Sequence, residues 1–237
     1  MDRRAYVAPG TTLCEDRKMN ILGINGSPRG SHSQTLRLVK AVLAGAGDAG
    51  AETELVDVCT LDIQYCTGCG VCYERGDCVH DDDFAALHEM MLASDGIVLG
   101  SPNYINSVTA QMKALFDRMA DSIHCQLFSG KYGCSVCTAG GSKADEVADY
   151  MNGVLLTLGA STAGRVGVVL GTDPDTLVLA ERRAYDLGKV LAAAIEANVA
   201  YPLQEEMHRE MRERMKALVQ RNKNRWHHEY QYWERAG

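Results

Sequence analysis

Five short strand-like runs alternate with stretches of helical periodicity along most of the chain. The runs begin at Met19, Glu54, Gly96, Tyr132 and Arg165, and each is followed along the chain by apolar residues at three- and four-residue spacing. Strands that alternate with helices in this way are typical of βαβ crossovers around a parallel sheet. The pattern therefore predicts a doubly wound α/β domain over residues 19–200, although periodicity alone does not fix the strand order.

The predicted elements follow from the length and spacing of these apolar positions. The predicted strands are Met19–Asn25, Glu54–Val58, Gly96–Gly100, Tyr132–Cys137 and Arg165–Leu170. The predicted helices carry Leu36, Val39 and Leu43; Phe84, Leu87 and Met91, capped by Asp82 or Asp83; Val108, Met112, Leu115 and Met119; and Val147, Met151, Val154 and Leu158. A fifth helix is predicted from Pro174 to Asn198.

Two further segments flank this domain. Residues 1–18 are polar and aperiodic and precede a second methionine, so we predict a flexible leader outside the core. Residues 201–237 are charged and helical in pattern, and Trp226, Tyr230 and Trp233 are spaced like one helical face. We predict a C-terminal helical arm that packs on its own domain or on a neighbouring subunit, and hence a homo-oligomer, either a dimer or a tetramer.

The charge balance argues against several classes of partner. The chain has 24 Lys and Arg against 31 Asp and Glu, a net charge of −7, and no long basic run. Such a balance does not favour nucleic acid or an anionic membrane as the main partner. No apolar run approaches the ~18 residues of a membrane span, and the first residues lack the apolar stretch of a secretory signal. We therefore expect a cytoplasmic protein with no nucleic-acid or membrane partner.

The loop after the first predicted strand has the chemistry of a phosphate site. Between Gly26 and Thr35 it contains two glycines, four hydroxyl side chains and one guanidinium. A helix that begins at the carboxyl end of a strand offers free N–H groups and a positive dipole end to an anion. The segment has neither the Gly-Lys-Ser/Thr ending of a P-loop nor the GxGxxG spacing of a dinucleotide turn. The alternative is a Gly-rich turn that caps the helix without a ligand.

Three loops, taken in order, resemble those of the flavodoxin-like NAD(P)H-dependent FMN reductases. Residues 25–29 with 33–35 resemble the FMN-phosphate loop, residues 101–108 the loop that wraps the isoalloxazine ring, and residues 138–141 the loop on the other side of the flavin. The resemblance implies FMN and the strand order 2-1-3-4-5. The implied FMN-binding residues are Ser27, Arg29, Ser33, Gln34, Thr35, Pro102, Asn103, Tyr104, Ile105, Asn106, Thr138, Ala139, Gly140 and Gly141.

Four of the nine cysteines fall within thirteen residues, between the second predicted strand and the next helix. They are Cys66, Cys69, Cys72 and Cys78, in a cysteine loop that we place at residues 59–83. Clustered cysteines in a cytoplasmic chain of this size more often bind metal or carry out redox chemistry than form disulfides. Gly68, Gly70 and Gly76 relax the backbone, so that amides can turn towards sulfur. The other cysteines are interpreted as leader, edge or core residues: Cys14, Cys59, Cys125, Cys134 and Cys137.

The cysteine spacing resembles the Cys-x2-Cys-x2-Cys run of bacterial ferredoxins, although Val79 stands where those proteins have proline. It is more similar to the iron–sulfur flavoproteins, which belong to the same reductase superfamily and have a compact four-cysteine motif before an Asp-Asp sequence like that at residues 81–83. This resemblance implies a [4Fe–4S] cluster on the four cysteines. Zinc bound by the four thiolates, and thiols that hold no metal, are the alternatives.

The resemblance implies an FMN-dependent oxidoreductase that couples two-electron flavin chemistry to one-electron transfer through the cluster. The implied partners are NAD(P)H as a transient donor, a ferredoxin-like electron carrier and a small-molecule acceptor. We predict no nucleophile or general acid, and we predict that Tyr104 and Asn106 shape the substrate face of the ring. The alternatives are a flavin-only NAD(P)H reductase of quinones, flavins or nitro compounds, and a non-enzymatic redox sensor or electron carrier.

Overall fold

The computed structural model describes residues 18–173 and 175–236. Within these ranges five strands form one parallel sheet: β1 Asn20–Asn25, β2 Glu52–Asp57, β3 Gly96–Pro102, β4 Tyr132–Ala139 and β5 Ser161–Val169. Their order is β2-β1-β3-β4-β5, and every neighbouring pair is parallel. The predicted flavodoxin-like sheet with the order 2-1-3-4-5 is confirmed.

Helices lie between and after the strands. They are α1 Gln34–Asp48, α2 Val71–Arg75, α3 Phe84–Ala93, α4 Ala110–Asp117, α5 Ala120–Cys125, α6 Ala144–Leu158, α7 Asp175–Glu196, α8 Pro202–Asn222 and α9 His227–Ala236. Short 3-10 turns occur at Gly30–His32 and Val58–Thr60. The short helix α2, inside the cysteine loop, was not among the predicted elements.

The predicted helix through Val108, Met112, Leu115 and Met119 is wrong as a single element, because it is divided into α4 and α5. Thr109 Oγ1 accepts a hydrogen bond from the Met112 N–H and caps α4, which leaves Val108 before the helix. Met119 occupies the N-cap position of α5, outside the helix itself. The apolar spacing continued across the break because all four side chains still face the core.

Several predicted strand ends are also shifted, because pairing with a neighbour extends each strand. Pro102 at the end of β3 pairs with Thr138 near the end of β4, so both strands run two residues further than predicted. Ser161 pairs with Tyr132, so β5 begins four residues before Arg165. At the edge of the sheet, β2 begins two residues earlier than predicted and ends one residue earlier.

Both faces of the sheet are covered by helices, as the doubly wound prediction requires. Alternate residues of β1 point to opposite faces, so Ile21 belongs to the core that contains Leu38 and Leu191 of α1 and α7. Its neighbour Leu22 belongs to the core on the other face, with Leu87 of α3 and residues of α4 and α6. Because the two faces are filled, the edge at the carboxyl ends of the strands is left for ligands.

Replacing Gly188 with alanine is expected to reduce stability, because α1 and α7 touch through their backbones. A Cβ at Gly188 would lie 1.9 Å from the carbonyl oxygen of Val42. Overpacking of this kind costs about 1–3 kcal/mol of unfolding free energy. The matched control is Gly47→Ala on α1, where no atom lies within 4 Å, so the unfolding free energy stays unchanged or rises by up to ~1 kcal/mol. Urea unfolding of both variants makes the comparison, and equal values would contradict the close contact.

The C-terminal arm, formed by α8 and α9, folds back on its own domain. Met215 and Val219 of α8 are buried. The Trp226 ring, just before α9, stacks on the His124 ring with centroids 5.1 Å apart, and Trp233 Nε1 donates to His124 O at 3.1 Å. A role of the arm in oligomerisation stays a prediction. The predicted leader lies outside the described residues but for its last position, and no helix in the described ranges is long and apolar enough to cross a membrane.

Candidate active site

Three loops meet at the carboxyl edge of the sheet, following β1, β3 and β4. The Gly26 N–H donates to Gly100 O at 2.7 Å, and Thr109 Oγ1 donates to Gly26 O at 2.6 Å, so the first loop is tied to the second. The hydroxyls of Thr35 and Thr138 lie 2.7 Å apart and tie the first loop to the third. The structure therefore brings together the three segments that the sequence marked for FMN.

Asn103 connects the second and third loops. Its backbone N–H donates to Thr138 O at 2.8 Å, and its Nδ2 donates to Ser142 O at 2.7 Å. The remaining Oδ1 is buried and accepts no hydrogen bond from any described residue. A buried acceptor without a donor is unfavourable, so Oδ1 is suited to an N–H group of a ligand.

The first loop presents the start of α1 to the same edge. Ser33 Oγ accepts from the Leu36 N–H at 3.0 Å and caps the helix. Gly30 has a φ of +52°, and no atom lies within 4 Å of the position that a Cβ would take, so the turn is open beside its backbone. The predicted phosphate ligands differ in exposure: Ser27, Ser33 and Thr35 are buried, Gln34 is half-buried and Arg29 is exposed.

The second loop contains a tight two-residue turn. Tyr104 and Ser107 exchange both backbone hydrogen bonds, at 2.8 and 3.2 Å, and the two residues between them have positive φ values, 52° at Ile105 and 64° at Asn106. A β-branched residue rarely adopts this conformation. Ile105 is also 98% exposed. Strained, exposed residues of this kind are concentrated at functional edges, which makes this turn a candidate wall of the site.

The third loop exposes its main chain at two glycines. Thr138 and Ala139 are the buried last residues of β4, whereas Gly140 and Gly141 are exposed. No atom lies within 4 Å of the Cβ position at either glycine. A flat ring system can therefore approach the main chain closely here, and the donor set of the three loops together suits a phosphorylated flavin.

The cysteine loop begins next to the first loop. Asn25 Nδ2, at the end of β1, donates to Asp57 Oδ2 at 3.0 Å, and Asp57 Oδ1 accepts from the Cys59 N–H at 3.0 Å. Cys66 and Cys69 are exposed, whereas Cys72 and Cys78 are half-buried. The motif thus runs from the surface into the protein, beside the carboxyl edge of the sheet.

Backbone amides point at the sulfur atoms of the two exposed cysteines. The Gly68 N–H donates to Cys66 Sγ at 3.4 Å. The Val71 N–H, followed by the Thr67 hydroxyl, lowers the pKa of Cys69. Hydrogen bonds of this kind stabilise thiolate and metal-bound sulfur, so the turn is arranged for negatively charged sulfur.

The two inner cysteines lie close to one another. Burial, followed by the charges of Asp121 and Cys78, raises the pKa of Cys72 to about 12. Cys72 is therefore a neutral thiol unless a cationic centre binds it, and metal binding would release its proton. Tyr73 lies beside Cys72 and Cys66, whose charges add to burial in raising the tyrosine pKa.

A buried ion pair holds the cysteine loop against α4. Arg118 Nη1 donates to Asp82 Oδ2 at 2.6 Å and to Gln64 O at 2.9 Å, and the two charged side chains are 1% and 0% exposed. Arg118 also lies within hydrogen-bonding reach of Cys78. Arg118 was not among the predicted site residues, because its partner Asp82 lies 36 positions away along the chain and no local pattern marks the pair.

The profile of the family described as NADPH-dependent FMN reductase matches residues 19–175. The chain belongs to this family. The match covers all three loops and the cysteine loop. As a member of the NADPH-dependent FMN reductase family, the chain is a flavin-dependent oxidoreductase, and the family supports FMN as its flavin.

Two relatives and one solved structure are also similar to this chain. An iron–sulfur flavoprotein of Archaeoglobus fulgidus is 35% identical over 224 residues, which are 92% of this chain and 99% of that protein. An iron–sulfur flavoprotein of Methanosarcina thermophila is 40% identical over 100 residues, 42% of this chain and 52% of that one. A flavone reductase structure has a TM-score of 0.60 at 22% identity, covering 75% of this chain and 63% of that chain, and supports the fold.

Proposed function

We propose that this FMN reductase family member carries a [4Fe–4S] cluster on Cys66, Cys69, Cys72 and Cys78 and couples two-electron flavin chemistry to one-electron transfer. The observation that carries the proposal is the four-cysteine loop, which has amides directed at sulfur and is tied through Asp57 to the end of β1. Two relatives, one aligned with 92% of the chain and one with 42% of it, are named iron–sulfur flavoproteins. Their names support the same proposal.

The residues of the three loops would hold FMN in three ways. Ser27, Arg29, Ser33, Gln34 and Thr35 would bind the phosphate at the start of α1, where N–H groups and the helix dipole favour an anion. The second and third loops, residues 102–106 and 138–141, would enclose the ring, with Asn103 Oδ1 accepting a ring N–H and so fixing its orientation. When bound, FMN supplies hydride chemistry and an iron–sulfur cluster supplies single-electron transfer.

The spacing of the four cysteines along the chain favours a cluster over a single zinc ion. Structural zinc sites usually bring together two separated pairs of ligands, whereas Cys66, Cys69 and Cys72 follow one another at three-residue intervals on one loop.

The exposed residues around the site suggest where electron donors and acceptors would bind. The exposed turn with Tyr104 and Asn106 would border the substrate face of the ring, where NAD(P)H as a transient donor or a small-molecule acceptor could stack. The exposed Cys66 and Cys69 place the motif at the surface, which suits transfer to a ferredoxin-like carrier. We propose that the protein works as a homo-oligomer, a dimer or tetramer, in the cytoplasm.

Anaerobic purification followed by an absorption spectrum and by iron, sulfide and flavin analysis tests the proposal. Flavin bands with about four iron atoms per chain would support it. Flavin bands without iron would favour a flavin-only NAD(P)H reductase, and a loaded protein without NAD(P)H- or ferredoxin-linked turnover would favour a sensor or carrier. Colourless protein that does not bind added FMN would contradict the flavin assignment as well.

Replacing Arg29 with alanine is expected to weaken FMN binding about 10- to 100-fold, because a hydrogen bond to a charged group contributes roughly 1.5–3 kcal/mol. The matched control is Arg183→Ala on the exposed face of α7, which removes the same charge away from the three loops. Titrating FMN into each apoprotein, with flavin fluorescence as the signal, gives the two dissociation constants. If both variants bind FMN as the unmodified protein does, Arg29 does not contact the phosphate.

A further inference from the structure

A third group of side chains, away from the three flavin loops and directly behind the cysteine loop, contains possible metal ligands. One ligand atom from each of Asp121, Cys125 and His228 lies within 4.8 Å of the other two. Asp121 and Cys125 are four residues apart on one face of α5, whereas His228 comes from α9 in the arm. Asp121 Oδ2 is 3.8 Å from His228 Nε2, and Asp121 Oδ1 is 3.9 Å from Cys125 Sγ.

A buried and unpartnered carboxylate oxygen lies beside this group. Glu229 is 0% exposed, and its Oε1 lies 2.9 Å from His124 Nδ1. Its Oε2 is buried and has no hydrogen-bond partner among the described residues. The Glu229 charge acts on both Asp121 and Cys125, which places it next to them. A buried carboxylate oxygen without a hydrogen bond is unfavourable unless a cation lies nearby or a metal-bound water donates to it.

The acidic side chains of Asp121, Cys125 and Glu229 lie close enough to repel one another when they are ionised. Burial, followed by the charge of Glu229, raises the pKa of Asp121 to about 7. Burial, followed by the charges of Asp121 and Glu229, raises the pKa of Cys125 well above its usual range. A divalent cation at this point would balance the charge of Glu229, whose buried Oε2 has no partner among the described residues.

Gly76 makes room for the imidazole at this site. It ends α2 in the cysteine loop with a φ of +86°, and a Cβ there would lie 2.6 Å from Nδ1 and Cε1 of His228. The ring is therefore packed against the main chain on its Nδ1 side, while Nε2 faces Asp121. This packing fixes which nitrogen is presented to the group.

We propose that Asp121, Cys125 and His228 form a Zn²⁺ site that joins the arm to α5 behind the cysteine loop. A carboxylate, a thiolate and an imidazole are a zinc ligand set, and water can occupy the fourth position, next to Glu229 Oε2. Ligand atoms around tetrahedral zinc lie about 3.3–3.6 Å apart, so three ligand atoms that already lie within 4.8 Å of one another need to approach by at most about 1.5 Å. Binding releases the Cys125 proton.

Zinc content and cobalt substitution of the full-length, FMN-loaded protein test the proposal. The variants are His228→Ala and Asp121→Asn, with the exposed neighbour His227→Ala as the matched control. A fourth variant, Cys66→Ser with Cys69→Ser, disables the cysteine loop and leaves the third group intact. We expect about one zinc per chain in the unmodified protein, the control and the loop variant, and at least a fivefold loss in the other two. Circular dichroism and bound FMN report folding in each case.

Cobalt(II) identifies the ligands without relying on activity. The visible bands of tetrahedral cobalt with a sulfur charge-transfer band should appear in the loop variant and disappear when His228→Ala is added to that variant. Saturating zinc should also raise the Tm of the loop variant by ~5–10 °C, as expected for ligand at 100 times its dissociation constant. Metal that survives in both His228→Ala and Asp121→Asn but is lost from the loop variant would place it on the cysteine loop and overturn the proposal. An unmodified protein that binds no zinc would also overturn the proposal and would leave the proposed [4Fe–4S] cluster unaffected, whereas zinc on the cysteine loop would count against that cluster as well.

Discussion

Replacing Cys69 with serine is expected to abolish the binding of the proposed [4Fe–4S] cluster while FMN stays bound. Serine is a poor iron ligand, and a [4Fe–4S] cluster that loses one of four thiolates is seldom retained. Iron should fall from about four atoms to less than ~1 per chain, together with sulfide and the broad cluster absorption. Because Cys69 is exposed and lies in a turn, its replacement leaves the core untouched. Anaerobic iron, sulfide and flavin analysis measures the change.

The matched control for this prediction is Cys59→Ser. Cys59 lies at the start of the same loop, beside Asp57, but outside the four-cysteine motif, and burial raises its pKa to about 12. Its replacement should leave iron and flavin contents unchanged. Equal iron in both variants would show that Cys69 is not a cluster ligand, and loss of FMN with the iron would show that the two cofactors are not held independently.

Replacing Arg118 with methionine is expected to lower the free energy of unfolding by about 3–5 kcal/mol. The change leaves the Asp82 carboxylate buried without its partner, and breaking a buried ion pair on one side has a cost of this size. Arg118 and Asp82 side chains are 1% and 0% exposed, so water cannot replace the lost bonds. Urea unfolding monitored by circular dichroism measures the effect.

Two controls separate the buried pair from a general effect of charge. Lys113→Ala, on the exposed face of α4, breaks the surface pair with Asp117 and should cost no more than ~1 kcal/mol. Adding Asp82→Asn to Arg118→Met removes the stranded charge, keeps an acceptor for the backbone N–H group of Gln64 or of Phe84, and should restore part of the stability. A single variant no less stable than Lys113→Ala would contradict the role of the pair.

The pair formed by Arg118 and Asp82 also makes the free energy of unfolding depend on pH. Burial alone would raise the pKa of Asp82. Hydrogen bonds from Arg118 and from the backbone outweigh burial and lower this pKa below its ordinary 3.8. A carboxyl group with a lowered pKa in the folded state contributes stability above its ordinary pKa and loses that contribution as pH falls through the lowered value. The unfolding free energies of the unmodified protein and of Arg118→Met should therefore converge below pH ~4.

The sequence predicted the sheet and its three loops because these depend on local patterns. Short apolar runs mark buried strands, and the loop chemistry falls directly after them. The division between α4 and α5 was missed because Met119 continues the apolar spacing across the break. The pairing of Arg118 with Asp82 joins residues 36 positions apart, and no local pattern encodes such a contact.

The contacts of the arm and of the third group were likewise not predictable from local sequence patterns. The spacing of Trp226, Tyr230 and Trp233 predicted one helical aromatic face, but not the His124 ring on which Trp226 stacks. Likewise, the positions of Asp121 and His228 are unremarkable in the sequence, because α5 and α9 meet only in the folded chain. The positive φ of Ile105 was unpredictable for a different reason, since β-branched residues disfavour that conformation.

One short helix, α4, lies between the flavin loops and the cysteine loop and contacts both through the residues at its ends. The residue that caps the start of α4, Thr109, holds the FMN loop at Gly26, and the residue that caps its end, Arg118, holds the cysteine loop. The eight residues between them span about 12 Å at 1.5 Å per residue. The spacing between the flavin loops and the cysteine loop is therefore set by a fixed number of helical residues and does not depend on the conformation of either loop.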